Sequence, residues 1–159
     1  MGKVGREVVK ANVDDIINDL NRALAAELHD AYRYLYFSKM VTGMDSLELS
    51  EWFAATAQDE WSHMGKIMDR IVQLGGKPIT RPSQGEELTY FQYKEPPANM
   101  GDLRQIILDS LEGERAAIRF YQALFEKTQH ADPVTALLVQ EALADEVSDE
   151  EELERFLGG

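Results

Sequence analysis

The sequence predicts an all-α protein, a four-helix bundle with one long crossover between its second and third helices. Four long segments carry apolar residues at three- and four-residue spacing, which is the pattern of helices with one buried face. Residues 76–101, which include four prolines, separate the second segment from the third. The chain of 159 residues has the size of one domain, and four long helices in so small a domain favour a bundle.

Start and stop signals bound each predicted helix. Gly43 is a typical C-cap for the first helix, and Ser46 is a suitable N-cap for the second. Asp132 followed by Pro133 starts the fourth helix, because proline is favoured at the first helical position. The predicted helices span about residues 13–41, 46–75, 102–128 and 132–158.

The loops predict how these helices are connected. Short links join the first two helices and the last two, so each pair forms an antiparallel hairpin. The crossover is long enough to run the length of the bundle and return the chain to the same end, with residues 90–93 packed along the outside in extended form. Residues 1–159 then form one domain, with an N-terminal extension at 1–11 and the crossover at 76–101.

Composition and charge exclude several classes of function. The chain has no cysteine, which excludes disulfides, iron–sulfur clusters, thiolate zinc sites and thiol catalysis. A formal net charge of −13 opposes binding to nucleic acid or anionic lipid. The N-terminus lacks the apolar core of a signal peptide, and no apolar run approaches the ~18 residues of a membrane span. We therefore expect a cytoplasmic protein with no nucleic-acid or membrane partner.

Acidic residues occupy the middle of the apolar stripe on each of the four helices. Burying one ionised carboxylate costs several kcal/mol unless a cation compensates, and neighbouring carboxylates also repel one another. Basic partners are scarce, since Arg33, Lys66 and Arg115 fall off the stripes. Metal ions are therefore the natural compensation. The residues on the stripes are Glu27 on the first helix, Glu60 and His63 on the second, Glu114 on the third, and Glu146 and Asp149 on the fourth.

The same periodicity assigns neighbouring positions. Leu35 falls near the buried stripe of the first helix, together with Leu24 and Leu28. His29 and His130 lie off the stripes or at a helix end, so both are expected to face solvent.

The ligand types indicate which metals would bind. Carboxylate and imidazole groups without sulfur suit iron or manganese, and zinc less distinctively. Two divalent ions would neutralise four negative charges, and a bridging carboxylate from each half of the bundle would hold them close together. A Glu on one helix of a pair with Glu-x-x-His on the other is the arrangement expected of di-iron carboxylate bundles.

Four segments carry these motifs: 27–34 (ELHDAYRY), 58–64 (QDEWSHM), 71–78 (IVQLGGKP) and 143–150 (LADEVSDE). They resemble bacterioferritins and Dps-like small dodecameric ferritins, and the resemblance covers residues 12–157. It implies a ferritin-like four-helix bundle. Because the sequence stops at Gly159 with no fifth helix, the resemblance also implies the smaller, 12-subunit homo-oligomeric shell.

The resemblance implies a role for each residue of the stripes. Glu27 and Glu114 would be terminal ligands, and His63 would supply an imidazole nitrogen. Glu60 and Glu146 would each bridge two metal ions.

The third helix and a nearby tyrosine add detail to this set. Glu112 and Ser110 lie within a turn of Glu114, so this helix could be aligned one step differently, although the residues that follow favour Glu114. Tyr34, further along the face of Glu27, matches a near-site tyrosine that could donate an electron or a hydrogen bond.

The sequence departs from the family in its second Glu-x-x-His motif, where Asp149 stands in place of His. A carboxylate can ligate iron, so the site would contain five carboxylates and one imidazole. Asp145 can pair with His63 as an outer-shell acid. Asp59, by contrast, would face Asp149, which predicts either a protonated acid or weak binding of the second metal.

Haem is a separate question raised by the resemblance. Bacterioferritins ligate haem through a Met directly after the bridging Glu of the second helix, and Trp61 occupies that position here. Met64 lies one turn on and Met68 one more, so Met64 is the candidate for a shifted haem site, against the alternative of ordinary packing.

The resemblance implies a ferroxidase that oxidises Fe(II) with O2 or H2O2 for iron storage and detoxification, with two iron ions per subunit or manganese in their place. Two alternatives stay open. One is a peroxide-removing enzyme similar to rubrerythrins or manganese catalases, and the other is a haem-binding shell whose di-metal site is degraded at Asp149. DNA protection is disfavoured by the acidic charge.

Overall fold

The computed structural model describes residues 2–44 and 46–158, and six helices make up most of this part of the chain. The four long helices confirm the predicted bundle. Two short helices lie in the N-terminal extension and in the crossover, where periodicity indicated none. Within the described residues, no helix combines the length and apolarity that crossing a membrane requires. The helices are α1 (Lys3–Val8), α2 (Val13–Met40), α3 (Ser46–Gln73), α4 (Ser83–Leu88), α5 (Leu103–Thr128) and α6 (Pro133–Phe156).

Local capping explains where the long helices begin and end. The side chains of Asn12, Asp102 and Asp132 accept hydrogen bonds from backbone N–H groups in the first turns of α2, α5 and α6. Gly43 and Gly75 follow α2 and α3 with φ of 118° and 87°, the left-handed region that glycine adopts without strain.

The crossover runs along the length of α2. Near its start, the side chain of Asn21 donates to the carbonyl of Lys77 and accepts from the N–H of Ile79. Near its end, the N–H of Thr42 donates to the carbonyl of Met100. The helix α2 packs against α3, α5 packs against α6, and α4 packs against α2. Two hairpins are thus joined by a segment that lies on α2.

Two apolar clusters fill the bundle, one on either side of a polar layer. On α2, Glu27 lies between Leu24 of the first cluster and Tyr34 of the second. On α5, Glu114 separates Ala117 of the first cluster from Leu111 of the second. The same order holds on α3 and α6, so the inward-facing acids of all four helices meet at one level of the bundle.

Three expectations about α2 are wrong. Leu35 is 49% exposed, because it follows the buried Tyr34 and so lies about 100° around the helix from the core. Arg33 is only 6% exposed, and His29 is largely buried because its ring packs edge-on against Phe91 and Tyr93. The crossover covers His29 and α5 contacts Arg33, and the periodicity of α2 alone does not contain that information. His130 does face solvent, as expected.

Candidate metal centre

The inward-facing acids of the four long helices meet in two overlapping groups of ligand atoms. Within each group, one atom from each residue lies within 4.8 Å of the others. Glu60 and Glu146 belong to both groups. The structure therefore brings together all six residues that the sequence placed on the stripes, and only Asp149 is not fully buried. The groups are Glu27, Glu60, His63 and Glu146, and Glu60, Glu114, Glu146 and Asp149.

The two ring nitrogens of His63 have different surroundings. Nε2 lies 3.0 Å from Oδ2 of Asp145, the outer-shell acid expected from the sequence. Nδ1 is buried, lies 3.4 Å from Oε2 of Glu27 and 3.5 Å from Oε2 of Glu60, and has no hydrogen-bond partner among the described residues. When Nε2–H donates to Asp145, the lone pair of Nδ1 points to the carboxylates, which is the tautomer that a metal ligand needs.

Two buried tyrosines donate hydrogen bonds to the terminal acids. The hydroxyl of Tyr34 on α2 donates to Oε1 of Glu114, and the hydroxyl of Tyr121 on α5 donates to Oε1 of Glu27. A role was expected from the sequence for Tyr34, but none for Tyr121. A signal was present, since Tyr121 follows Glu114 at the same seven-residue spacing by which Tyr34 follows Glu27.

Burial and mutual repulsion raise the pKa of most of the acids. Burial raises the pKa of Glu60 and Glu146 well above the ordinary value, and neighbouring carboxylate charges add to this. Burial raises the pKa of Glu114 to about 7, although hydrogen bonds from Glu146 and Tyr34 oppose the shift. Burial and the charge of Glu114 raise the pKa of Asp149 to about 8. Without a metal, protons therefore neutralise much of the cluster at neutral pH.

Glu27 and His63 form the ionised half of the centre. Burial opposes the charge on Glu27, but contacts with Glu60, His63 and Tyr121 outweigh it and lower the pKa of Glu27. Burial likewise opposes the charge on His63, but Glu27 and Asp145 outweigh it and raise the pKa of His63 to about 9. The proton on His63 then occupies a place that a cation could take.

The half of the centre near Asp149 contains only carboxylates and no imidazole. The charge of Asp59 contributes to the raised pKa of Asp149, as expected from their predicted contact. Five carboxylates and one imidazole, without sulfur, are ligands that suit oxygen-preferring ions such as iron and manganese. The buried, unpartnered Oε2 of Glu27 and Nδ1 of His63 fit such an ion directly.

Arg33 is a basic residue near the centre, although the sequence predicted that it lies off the apolar stripes. Its guanidinium lies 5.4 Å from the ring centre of Tyr34 and donates to the carbonyl of Asp109 at 3.3 Å. The nearest acid is Asp30, whose Oδ1 is 4.0 Å from Nε. The positive charge of Arg33 lowers the pKa of Glu114, although burial outweighs it. One internal cation thus partly compensates the half of the centre near Glu114.

The side chain of the haem candidate Met64 is half-buried against the first apolar cluster. It lines a cavity of about 130 Å³ together with Met68, Ile79 and Pro82, so the crossover covers it. Trp61, at the usual position of the haem ligand, is 63% exposed. The haem site stays a prediction.

Comparisons with known proteins identify the family to which this fold belongs. A sequence profile of the ferritin-like domain family matches residues 17–159. The bacterioferritin of Desulfovibrio desulfuricans is 32% identical over 143 residues, which cover 89% of this chain and 72% of that protein. The DNA protection during starvation protein of Pyrococcus furiosus is 25% identical over 148 residues, which cover 93% of this chain and 80% of that protein.

A solved structure gives the same result for the fold. The dodecameric thioferritin of Bacteroides fragilis, a bacterioferritin-related protein, superposes with a TM-score of 0.90 at 30% identity, covering 94% of this chain and 88% of that one. The profile match includes all six residues of the centre. This chain belongs to the ferritin-like domain family.

Proposed function

We propose that this protein is a ferroxidase that binds two Fe(II) ions at the centre and oxidises them with O2 or H2O2. The observation that carries the proposal is the pair of overlapping ligand groups that share Glu60 and Glu146. Two ions held by shared carboxylates lie close enough together to deliver two electrons to one oxidant.

The charge of the centre favours the oxidised metal. Carboxylate oxygens stabilise Fe(III) more than Fe(II), because the interaction grows with the charge of the ion. Two Fe(II) ions give up two electrons, which with two protons convert O2 to H2O2, or H2O2 to two molecules of water. Glu27 and His63 would bind one iron, Glu114 and Asp149 the other, and Glu60 and Glu146 would bridge them.

Tyr34 supports the second of these positions. Its hydroxyl donates to Glu114, and its ring is fully buried between the acids and the second apolar cluster. Glu114 also lies close to the shared acid Glu146 in the same group of ligand atoms. Tyr34 therefore holds the terminal ligand of the position that lacks an imidazole.

We further propose that the protein forms a 12-subunit shell in which oxidised iron is stored. The dodecameric relative from Bacteroides fragilis supports this assembly. So does the outer face of α2 and α3, where Tyr32, Leu35 and Trp61 are 73%, 49% and 63% exposed around a groove of about 250 Å³. Such a face would be covered by a second subunit. A particle smaller than a closed shell in size-exclusion chromatography with light scattering would contradict storage.

The activity is tested by adding two Fe(II) per chain to metal-free protein in air and following the ultraviolet absorbance of Fe(III). We expect oxidation well above the rate in buffer for the wild type, and a loss of at least about tenfold for Glu60→Gln, which removes a shared ligand. The matched control is Glu48→Gln, the same change at an exposed position on α3. Equal rates in the wild type, Glu60→Gln and buffer would disprove the ferroxidase proposal.

A further inference from the structure

Tyr121 donates a hydrogen bond to one of the two carboxylate oxygens of Glu27. The hydroxyl of Tyr121 on α5 donates to Oε1 of Glu27 on α2, and the two side chains are 0% and 2% exposed. The hydrogen bond therefore joins the two hairpins at the metal centre. With water excluded from both groups, the orientation of Glu27 depends on this bond.

The second oxygen of Glu27 is open. Oε2 is buried and has no hydrogen-bond partner among residues 2–44 and 46–158, and the same holds for Nδ1 of His63. These two atoms lie 3.4 Å apart. A carboxylate oxygen and an imidazole nitrogen side by side, with no other partner, form a place for one cation: a proton in the metal-free protein, which a metal ion would replace.

We propose that Tyr121 is a positioning residue that makes Glu27 a one-oxygen ligand. It occupies Oε1 and so leaves only Oε2 for the ion that also binds Nδ1 of His63. The inference rests on the proposed two-metal site. The hydrogen bond disfavours the rotation that would bring both oxygens of Glu27 to the ion. A one-oxygen ligand would leave room on a bound ion for one further group, as catalytic metal sites require.

Tyr34 makes the corresponding hydrogen bond in the other half of the centre, and the two halves differ. Tyr34 donates to Oε1 of Glu114, whose neighbours in its ligand group are carboxylates and no imidazole. In the described part of the chain, Glu27 is the acid of these two whose second oxygen is buried without a hydrogen-bond partner, beside Nδ1 of His63. Removing the hydroxyl of Tyr121 should affect the position with His63, and removing that of Tyr34 should affect the position with Asp149.

The test uses Co(II), which binds carboxylate and imidazole ligands but is not oxidised by air in this setting. Metal-free wild type, Tyr121→Phe and Tyr34→Phe are titrated calorimetrically with Co(II). Crystals equilibrated with graded Co(II) then give the occupancy of each position from anomalous scattering at the cobalt edge. Phenylalanine keeps the buried ring, so the apolar clusters that contain both tyrosines stay packed.

We expect two Co(II) per wild-type chain. In Tyr121→Phe, half-occupancy of the position with Glu27 and His63 should need about tenfold more Co(II), and Glu27 should bind through both oxygens. The position with Glu114 and Asp149 should be unchanged. Tyr34→Phe should give the opposite pattern.

Tyr90→Phe is the matched control. The ring of Tyr90 stacks on Phe120 at 4.2 Å, next to Tyr121, and its hydroxyl donates to no ligand acid within the described residues. This variant should bind Co(II) like the wild type. The inference is overturned if Tyr121→Phe changes neither position, changes both equally, or matches Tyr90→Phe. A wild type that fails to bind two Co(II) would instead contradict the proposed two-metal site itself.

Discussion

Two groups of buried charges in this bundle are built in opposite ways. Near the end of the bundle, Arg70 of α3 donates to both carboxylate oxygens of Asp132, at 2.7 and 2.8 Å, and to Thr135 at 2.8 Å. Arg70 is 5% exposed and Asp132 is fully buried. In the candidate metal centre, six residues that could bind a metal meet, five of them acids. The first group supplies its own countercharge, whereas the second lacks most of it.

The difference appears directly in the pKa values. Burial opposes the charge on Asp132, but hydrogen bonds from Arg70 and Thr135 outweigh it and lower the pKa of Asp132. In the metal centre, burial and like charges act together and raise the pKa of Glu60 and Glu146. A buried charge is stable where the fold supplies a partner of opposite charge. Where the fold supplies none, bound protons or metal ions must neutralise the charge.

Breaking the compensated pair should have the largest effect on stability. Arg70→Met leaves Asp132 buried without its partner, so we expect the free energy of unfolding of the metal-free protein to fall by about 3–5 kcal/mol. The measurement is urea unfolding followed by circular dichroism.

A surface pair between the same two helices is the control for Arg70→Met. Lys66 and Glu141 lie 3.6 Å apart with side chains 48% and 54% exposed. Lys66→Met should therefore cost only about 0–1 kcal/mol. Equal losses of stability in the two variants would show that breaking the buried Arg70 pair costs no more than breaking an exposed pair.

The pH dependence of the stability of the metal-free protein should distinguish the two groups of buried charges. Glu114 and Asp149 have pKa values of about 7 and about 8 in the folded state, above their unfolded values, so the folded protein holds more protons than the unfolded one between about pH 4 and pH 8. Their stabilisation is lost as pH rises through this range. His63 contributes stability that is fully present below its unfolded pKa and is lost as pH rises through its folded pKa of about 9.

We therefore expect the metal-free protein to lose at least about 3 kcal/mol between pH 5 and pH 9, which is the loss that the shift of Glu114 alone would give. Asp132 has the opposite sign, since its lowered pKa gives stability that is lost only in acid. Saturating Zn(II) should remove the alkaline loss, because metal replaces the protons. Unfolding midpoints across this range, with and without Zn(II), measure both effects. A midpoint that rises with pH in the metal-free protein would contradict the raised pKa values.

The sequence predicted the centre better than its surroundings, for a physical reason. Helix periodicity is local, so an acid in the middle of an apolar stripe, such as Glu27 or Glu114, is visible without knowing its neighbours. The burial of His29 depends on the crossover and that of Arg33 on a contact with α5, and both are contacts between segments far apart in sequence. The hydrogen bond from Tyr121 to Glu27 joins two hairpins and is likewise set by the assembled fold.

Asp149→His should make the two halves of the metal centre alike. At pH 7, the carboxyl of Asp149, with its pKa of about 8, must release a proton before it binds a metal, and one pKa unit corresponds to about 1.4 kcal/mol. A histidine beside Asp59 would reproduce the pairing of His63 with Asp145 and bind as a neutral ligand.

We therefore expect Asp149→His to bind the second Co(II) about tenfold more tightly than the wild type at pH 7, with the difference vanishing near pH 9. Calorimetric titrations at the two pH values measure this. Asp149→Asn is the control, because it removes the titrating group without supplying an imidazole, and its second site should stay weak at both pH values. If the histidine variant binds the second ion no more tightly at pH 7, the acidity at Asp149 is not what separates the two halves of the centre.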